Sequence, residues 1–306
     1  MKKKILILAG GFSREREISL KTAKGVFREI KKKYNTKICE PNGDLIKNLR
    51  IFKPDVVFNA LHGRYGEDGY IQSILETEKI KYTHSGVLAS SIAIDKEISK
   101  KIFIKNNILT PKYIKFKFNN EFRINKKFVS KVYKKLDFPV VIKPINEGSS
   151  VNVFICNKKN FINNLKKLSI YNEILIEKYI PGREIQVAIL GKRKLGAIEL
   201  VPKRKFYDYE AKYNAKAKTK HIIPVDLTKK NFSKVMNIAL KAHKVIGCKG
   251  VTRSDFRFFK NKFYLLEINT QPGMTKLSLV PEIANYVGMR FIDLIKWMIK
   301  DASTNR

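Results

Sequence analysis

The stretch KILILAGGFSREREISLKTAKGVFREIKKK, residues 4–33, sets the reading of the whole chain. Ile5, Leu6, Ile7 and Leu8 form a short apolar run that ends at Gly10-Gly11, the pattern of a buried strand followed by a turn. Over residues 15–33, Ile18, Val26, Phe27 and Ile30 then fall on one helical stripe, so the chain opens with a β/α unit. The unit repeats. A second apolar run at 56–61 follows Pro54-Asp55 and stops at the turn-rich HGRYGEDG of residues 62–69, and a helix over 69–78 comes next. Such alternation predicts an α/β fold with a mostly parallel sheet, whose ligands gather at the strand C-termini.

Beyond the opening units the pattern changes. A helix is expected over 96–106, the NNILTP stretch at 106–111 breaks it, and FPVVIKP (138–144) starts a new strand. Segment 157–169 reads as a helix and ILIEKYI (174–180) as a strand. Pro181-Gly182 reads as a hinge. These breaks divide the chain into three units, 1–95, 96–180 and 181–306. In the last, Thr228 is a helix N-cap; Phe232, Val235, Met236, Ala239, Leu240 and His243 follow at helical spacing, and Gly247 closes the helix. His243 lies on that apolar stripe and reads as a core histidine. Residues 206–221 have no apolar period and many lysines, and read as a mobile loop.

Composition narrows the function classes. At 306 residues and 44% hydrophobic, the chain has enough apolar material for a full core. Its net charge of +36 raises the question of nucleic acid, but the 63 basic residues are spread as 20, 21 and 22 over residues 1–100, 101–200 and 201–306. Lysine supplies 50 of them, with no block longer than three, so the excess reads as solvated surface rather than a binding patch. The apolar run behind the basic start is too short for a secretory signal and nothing approaches a membrane span, so a cytoplasmic protein is expected. Cys39, Cys156 and Cys248 are too far apart for a zinc motif and are odd in number, which reads as buried, reduced thiols.

The strongest chemical constellation is VTRSDFRFF (251–259) followed by FYLLEIN (263–269). A hairpin with a three-residue turn centred on Asn261 would set Asp255 opposite Glu267 and Arg253 opposite Asn269. Two acids so close repel unless a cation lies between them, and two carboxylates with an amide suit Mg²⁺. The other reading is a solvated face carrying Arg–acid ladders. That reading loses weight because Val251, Phe259, Phe263 and Leu265 would fall on the same face and bury it. A second signal is Lys143 at a strand end before EGSSV (147–151), where backbone amides could cradle phosphate; an ordinary turn fits it as well. The P-loop pattern is missing, and Gly10-Gly11 is not a dinucleotide fingerprint. His62 could touch a substrate or be a surface histidine.

Together these residues resemble the D-alanine:D-alanine ligases of the ATP-grasp superfamily. The resemblance runs in order through LAGGFSREREISL (8–20), NALHGRYGEDG (59–69), YTHSGVLASSIAIDK (82–96), VIKPINEGSSV (141–151), LIEKYIPGREIQVAIL (175–190), FYDYEAKY (206–213), GCKGVTRSDF (247–256) and LLEINTQPGMTKLSLVP (265–281). It implies a three-domain ATP-grasp fold with an N-terminal parallel-sheet domain, ATP as co-substrate and two Mg²⁺ or Mn²⁺. It also implies D-alanine as substrate, a homodimer, and a cytoplasmic place in peptidoglycan precursor synthesis.

By the same resemblance Lys96 and Lys143 contact ATP phosphates. Glu177, Lys178 and Ile180 surround adenine, and Glu184 binds ribose. Asp255, Glu267 and Asn269 hold the metals. Glu15 holds the first substrate's ammonium and is linked through Ser149 to Tyr213, with His62 nearby. Arg253 and Gly273 form the oxyanion site, and Ser278 with Leu279 receives the second carboxylate. The 206–221 loop would close over the site and exclude water. Asn152 departs from the family's frequent glycine and would stiffen the phosphate-covering loop. Tyr213 favours D-alanine over D-lactate as second substrate. The alternatives weighed are a D-alanine:D-lactate or other ATP-grasp ligase, a nucleotide-binding fold without turnover and a nucleic-acid-binding protein.

Overall fold

The computed structural model describes residues 2–118, 126–148, 151–202, 219–275 and 278–306. Three sheets organise them. The first is parallel, with β1 (Lys4–Leu8) between β2 (Asn35–Cys39) and β3 (Val56–Asn59). Both β1 and β3 are buried almost end to end, as a parallel strand covered on both faces must be. Helix α1 (Arg16–Ile30) buries Ile18, Thr22, Val26 and Ile30, one residue per turn, beside this sheet. Helices α2 (Leu45–Phe52) and α3 (Tyr70–Thr77) follow β2 and β3, completing the β/α alternation read from the sequence.

Parallel pairing stops there. The second sheet, in the order β4 (Tyr113–Lys117), β7 (Glu173–Lys178), β5 (Val140–Pro144), β6 (Phe154–Cys156), is wholly antiparallel. Its strands alternate. Val140, Ile142, Ile174 and Ile176 enter a core with helices α6 (Lys126–Leu136) and α7 (Phe161–Lys167), while Val141, Lys143, Leu175 and Glu177 take the other face.

The third sheet runs β10 (Lys220–Ile222), β9 (Arg193–Val201), β8 (Arg183–Leu190), β11 (Val251–Phe259), β12 (Lys262–Asn269), again antiparallel. One face packs Ile185, Val187, Ile189 and Phe256 on α8 (Lys229–Ile246), with α4 (Val87–Ile94) and α5 (Lys96–Lys105) in the same core. Its other face shares a core with Ile5, Ile7, Val56 and Phe58 of the first sheet, together with α9 (Leu279–Tyr286) and α10 (Phe291–Asp301). The first and third sheets are thereby fused through one apolar interior.

Helix α8 begins and ends where the sequence marks it: the Thr228 hydroxyl accepts from Asn231 N–H, and Gly247 takes φ +80°. His243 is buried, its Nδ1 2.8 Å from the Thr252 hydroxyl. At Pro181-Gly182, which the sequence reads as a hinge, Gly182 has φ +103° and a Cβ there would meet the Phe258 carbonyl, so the position requires glycine. All three cysteines are buried free thiols. No helix among the described residues is long and apolar enough to cross a membrane. Most of the 206–221 segment lies outside the described residues; its end, from Lys220, is strand β10.

Candidate active site

The β11–β12 hairpin delivers the expected acid pair by a different route. Phe259 pairs with Lys262, so the turn is the two residues Lys260-Asn261, both at positive φ (46° and 60°), not the three-residue turn of the sequence reading. That alone would put Asp255 out of register with Glu267. A bulge between Asp255 and Phe256 inserts Leu266 as the extra residue of β12, and Asp255 faces Glu267 with Arg253 facing Asn269 after all. The bulge also corrects the burial argument. Phe263 and Leu265 turn into the α8 core instead of sharing the acids' face, which is left open to a cleft.

That cleft lies between the second and third sheets and encloses about 820 Å³ of empty space, part of it open to solvent. Lys96, Lys143, Glu177, Lys178, Ile180, Glu184, Asp255 and Glu267 all line it. The second sheet contributes by register: Val141 pairs with Glu177 and Lys143 with Leu175, so Lys143 and Glu177 are diagonal neighbours on the cleft face, 3.0 Å apart. Lys96 opens α5 and reaches the other way, its Nζ donating to the Glu147 carbonyl at 2.6 Å and lying 3.7 Å from Glu267. Sequence reading missed Arg257, which lies 3.6 Å from Glu184, and Leu266, the bulge residue. It also missed Lys100, one helical turn after Lys96 and fully buried, whose Nζ is 3.1 Å from the second Glu177 oxygen.

Asp255 is 4% exposed and accepts both hydrogen bonds of an Arg253 fork, at 2.7 and 3.0 Å. The Arg–acid ladder foreseen as the competing reading is thus present on the face that carries the acids. Among the described residues no three His, Cys, Asp or Glu side chains cluster as a metal site. The donors on this face are two carboxylates and an amide. Gln186, paired across β8 from Asp255, adds a buried amide oxygen with no hydrogen-bond partner. An all-oxygen donor set beside an unsatisfied oxygen fits a hard cation such as Mg²⁺.

A second group of polar residues gathers at the C-terminal ends of β1 and β3. Glu15 is 8% exposed, and its Oε2 lies so close to Gly63 and Gly148 that a Cβ at either would stand 2.9 and 3.0 Å from it. The carboxylate of the first unit thus reaches the loop that follows Lys143. His62 is 6% exposed, not a surface histidine, with Nδ1 3.1 Å from Glu67 and Nε2 3.4 Å from the Thr22 hydroxyl. Burial opposes charge on its ring, but the Glu67 hydrogen bond and the fields of Glu67 and Glu15 outweigh it and raise the imidazole above its ordinary range. Burial likewise pushes the Glu67 carboxyl up.

Asn59 and Gln271, also missed in the sequence, tie this group to the third sheet. Asn59 donates to the Gln271 amide oxygen at 2.8 Å, and Gln271 N–H donates to Asn269 Oδ1 at 2.8 Å. Gly273 lies against Ser278, since a Cβ on it would fall 2.9 Å from the Ser278 hydroxyl, which accepts from Thr275 N–H. Leu279 begins α9 and sends its side chain into the core, leaving its backbone to any ligand. Ser149 and Tyr213 lie outside the described residues. Asn152 takes φ +54°, a conformation asparagine tolerates, and donates to the Tyr171 hydroxyl at 2.7 Å.

An antiparallel sheet facing a five-stranded one across a cleft of lysines and acids, joined to a parallel N-terminal sheet, is an ATP-grasp architecture. Family comparison is specific: the chain matches the D-ala D-ala ligase N-terminus over residues 44–85 and the D-ala D-ala ligase C-terminus over residues 102–300. It belongs to the D-alanine–D-alanine ligase family. A D-alanine–D-alanine ligase of Pelagibacter ubique (strain HTCC1062) is 68% identical over 100% of both chains, and one of Wolbachia pipientis wMel is 45% identical over 97% of this chain and 94% of the relative. Among solved structures, the D-alanine–D-alanine ligase from Bacillus anthracis complexed with ATP is 30% identical with a TM-score of 0.83, covering 98% of this chain and 97% of that one. A second structure of the Bacillus anthracis enzyme is 33% identical, with a TM-score of 0.86 and the same coverage.

Proposed function

We propose that this protein joins two D-alanines into D-alanyl-D-alanine with ATP, supplying a peptidoglycan precursor. Family membership supports the reaction. The observation that carries the site is the convergence on one cleft of eight residues from four sequence-distant segments, each matching a nucleotide or metal position by resemblance. In the reaction the carboxylate of the first D-alanine attacks the γ-phosphorus, ADP leaves, and a D-alanyl phosphate forms. The amine of the second D-alanine then attacks the acyl carbon, and phosphate leaves after the amine loses a proton.

The barrier is chiefly one of charge. Lys96 and Lys143 offset the phosphates, while Glu177, Lys178, Ile180 and Glu184 hold the adenosine. Asp255, Glu267 and Asn269 would hold Mg²⁺ or Mn²⁺, which supplies neutralisation of the β- and γ-phosphate charge. Glu15 binds the first ammonium beside His62, with Ser149 and Tyr213 completing the link. Arg253 and the Gly273 N–H stabilise the oxyanion of the tetrahedral intermediate. Ser278 and the Leu279 N–H receive the second carboxylate. In this reading residues 1–95 bind substrate, and 96–180 and 181–306 clasp ATP. A homodimer and a cytoplasmic location follow from the family resemblance alone.

The deciding experiment mixes protein with ATP, Mg²⁺ and D-alanine, L-alanine or D-lactate with D-alanine, follows phosphate release and identifies products by mass. D-Alanyl-D-alanine formed only with the D-isomer is the expected result. A depsipeptide as main product would move the protein to the D-lactate ligases, and no ligation with any pair would remove the reading.

A further inference from the structure

Lys100 is 0% exposed and does not line the cleft, yet it is in the same ion network as the groups that do. Its Nζ donates to the Thr110 hydroxyl at 2.6 Å and lies 3.1 Å from Glu177 Oε1; the other Glu177 oxygen is 3.0 Å from Lys143 Nζ. Glu177 is itself 2% exposed, so its two oxygens are shared between one lysine behind it and one in front. Two cations and one anion leave the trio with a single excess positive charge, and the only member with a cation facing the cleft is Lys143. A buried carboxylate paired with Lys143 alone would claim that cation entirely, because an uncompensated buried charge is costly.

We propose that Lys100 is a positioning residue for ATP: by holding Glu177 from behind, it fixes the Glu177 carboxylate and leaves the charge of Lys143 available to phosphate. The proposal rests on the ATP-dependent reading above and deepens it. Burial pushes Lys100 down to about 8, the Glu177 carboxylate resisting that shift, while Glu177 is held below the usual carboxylate range by Lys100 and Lys143 against the opposing effect of its own burial. Both therefore remain charged at neutral pH, as the pairing requires.

The test is a double-mutant cycle with Lys100→Met and Glu177→Gln, reading the ATP dissociation constant by calorimetry with Mg²⁺ present and the KM values for ATP and D-alanine in turnover. Lys100→Met is expected to weaken ATP about tenfold while the D-alanine KM stays within about twofold, and the double variant should be no weaker than the worse single one. ATP affinity unchanged in Lys100→Met, or losses that multiply in the double variant, would overturn the proposal. Thr110→Val, which removes only the hydroxyl that Lys100 meets, should weaken ATP about threefold. It keeps the question open to measurement if Lys100→Met does not fold, and unchanged ATP binding in Thr110→Val would then overturn the proposal. Calorimetry separates this proposal from the parent reading: wild-type protein that binds ATP but ligates nothing fails the reading of function, not the role of Lys100.

Discussion

The cleft and the pocket at the ends of β1 and β3 are both buried and charged, but they are built in opposite ways. In the cleft four acids have basic partners: Asp255 has Arg253, Glu267 has Lys96, Glu184 has Arg257, and Glu177 has Lys100 and Lys143. In the pocket Glu15 and Glu67 lie around the buried imidazole of His62, and burial raises Glu67 against the lowering effect of His62. The first arrangement suits a ligand that brings both anionic phosphates and hard cations, because each can take over one half of an existing pair. The second gathers two carboxylates around one imidazole and suits a ligand that brings an ammonium.

Breaking the cleft should cost most. Glu267→Gln removes the charge of a proposed metal ligand and the anion beside Lys96 together, and a fall in kcat on the order of a thousandfold is expected. Steady-state phosphate release checks it, and turnover near wild type would leave Glu267 as a structural pair only. The pocket should be less severe. Glu15→Gln keeps the shape against Gly63 and Gly148 but removes the charge, so the KM for the first D-alanine should rise about tenfold to a hundredfold, with ATP affinity unchanged. A variant that instead weakened ATP would show that the two regions are not separable.

The cleft was more legible in the sequence than the pocket. Register carries chemistry in period two, so Asp255, Glu267, Arg253 and Asn269 could be placed on one face from spacing, and Lys143 could be read at a strand end. Two errors in that reading cancelled: the turn is one residue shorter than expected, and the bulge at Leu266 restores the register. A bulge has no period of its own and so is invisible to pattern counting. Lys100 was hidden for another reason. Among 50 lysines its type means nothing, and the sole signal was its spacing of four from Lys96, which puts both on one side of a helix. The turn-rich HGRYGEDG leaves His62 open between a substrate contact and a surface histidine; the contact of its buried ring with Glu67 is one that no periodicity announces.

The smallest expected effect concerns histidines in the two kinds of environment, and it sharpens the contrast between pocket and core. His62, next to acids, is raised, while His243 and His84, in the interior with Thr252 and Thr83 as partners, are pushed by burial down to about 4 and about 3. For a depressed histidine the unfolded chain takes up a proton near its ordinary value of 6.5 and the folded chain does not. Stability from His243 is therefore complete above about pH 6.5 and is lost as pH falls toward about 4. The loss between pH 7 and pH 5 should be roughly 1–2 kcal/mol, a few degrees in Tm for a chain of this size. His243→Asn removes that proton acceptor. Its Tm should be lower than wild type at pH 7, yet should fall less steeply on acidification, as thermal unfolding at the two pH values would measure. An equal or steeper fall would mean that the acid sensitivity resides elsewhere, with His84 next to Arg306 the first place to look.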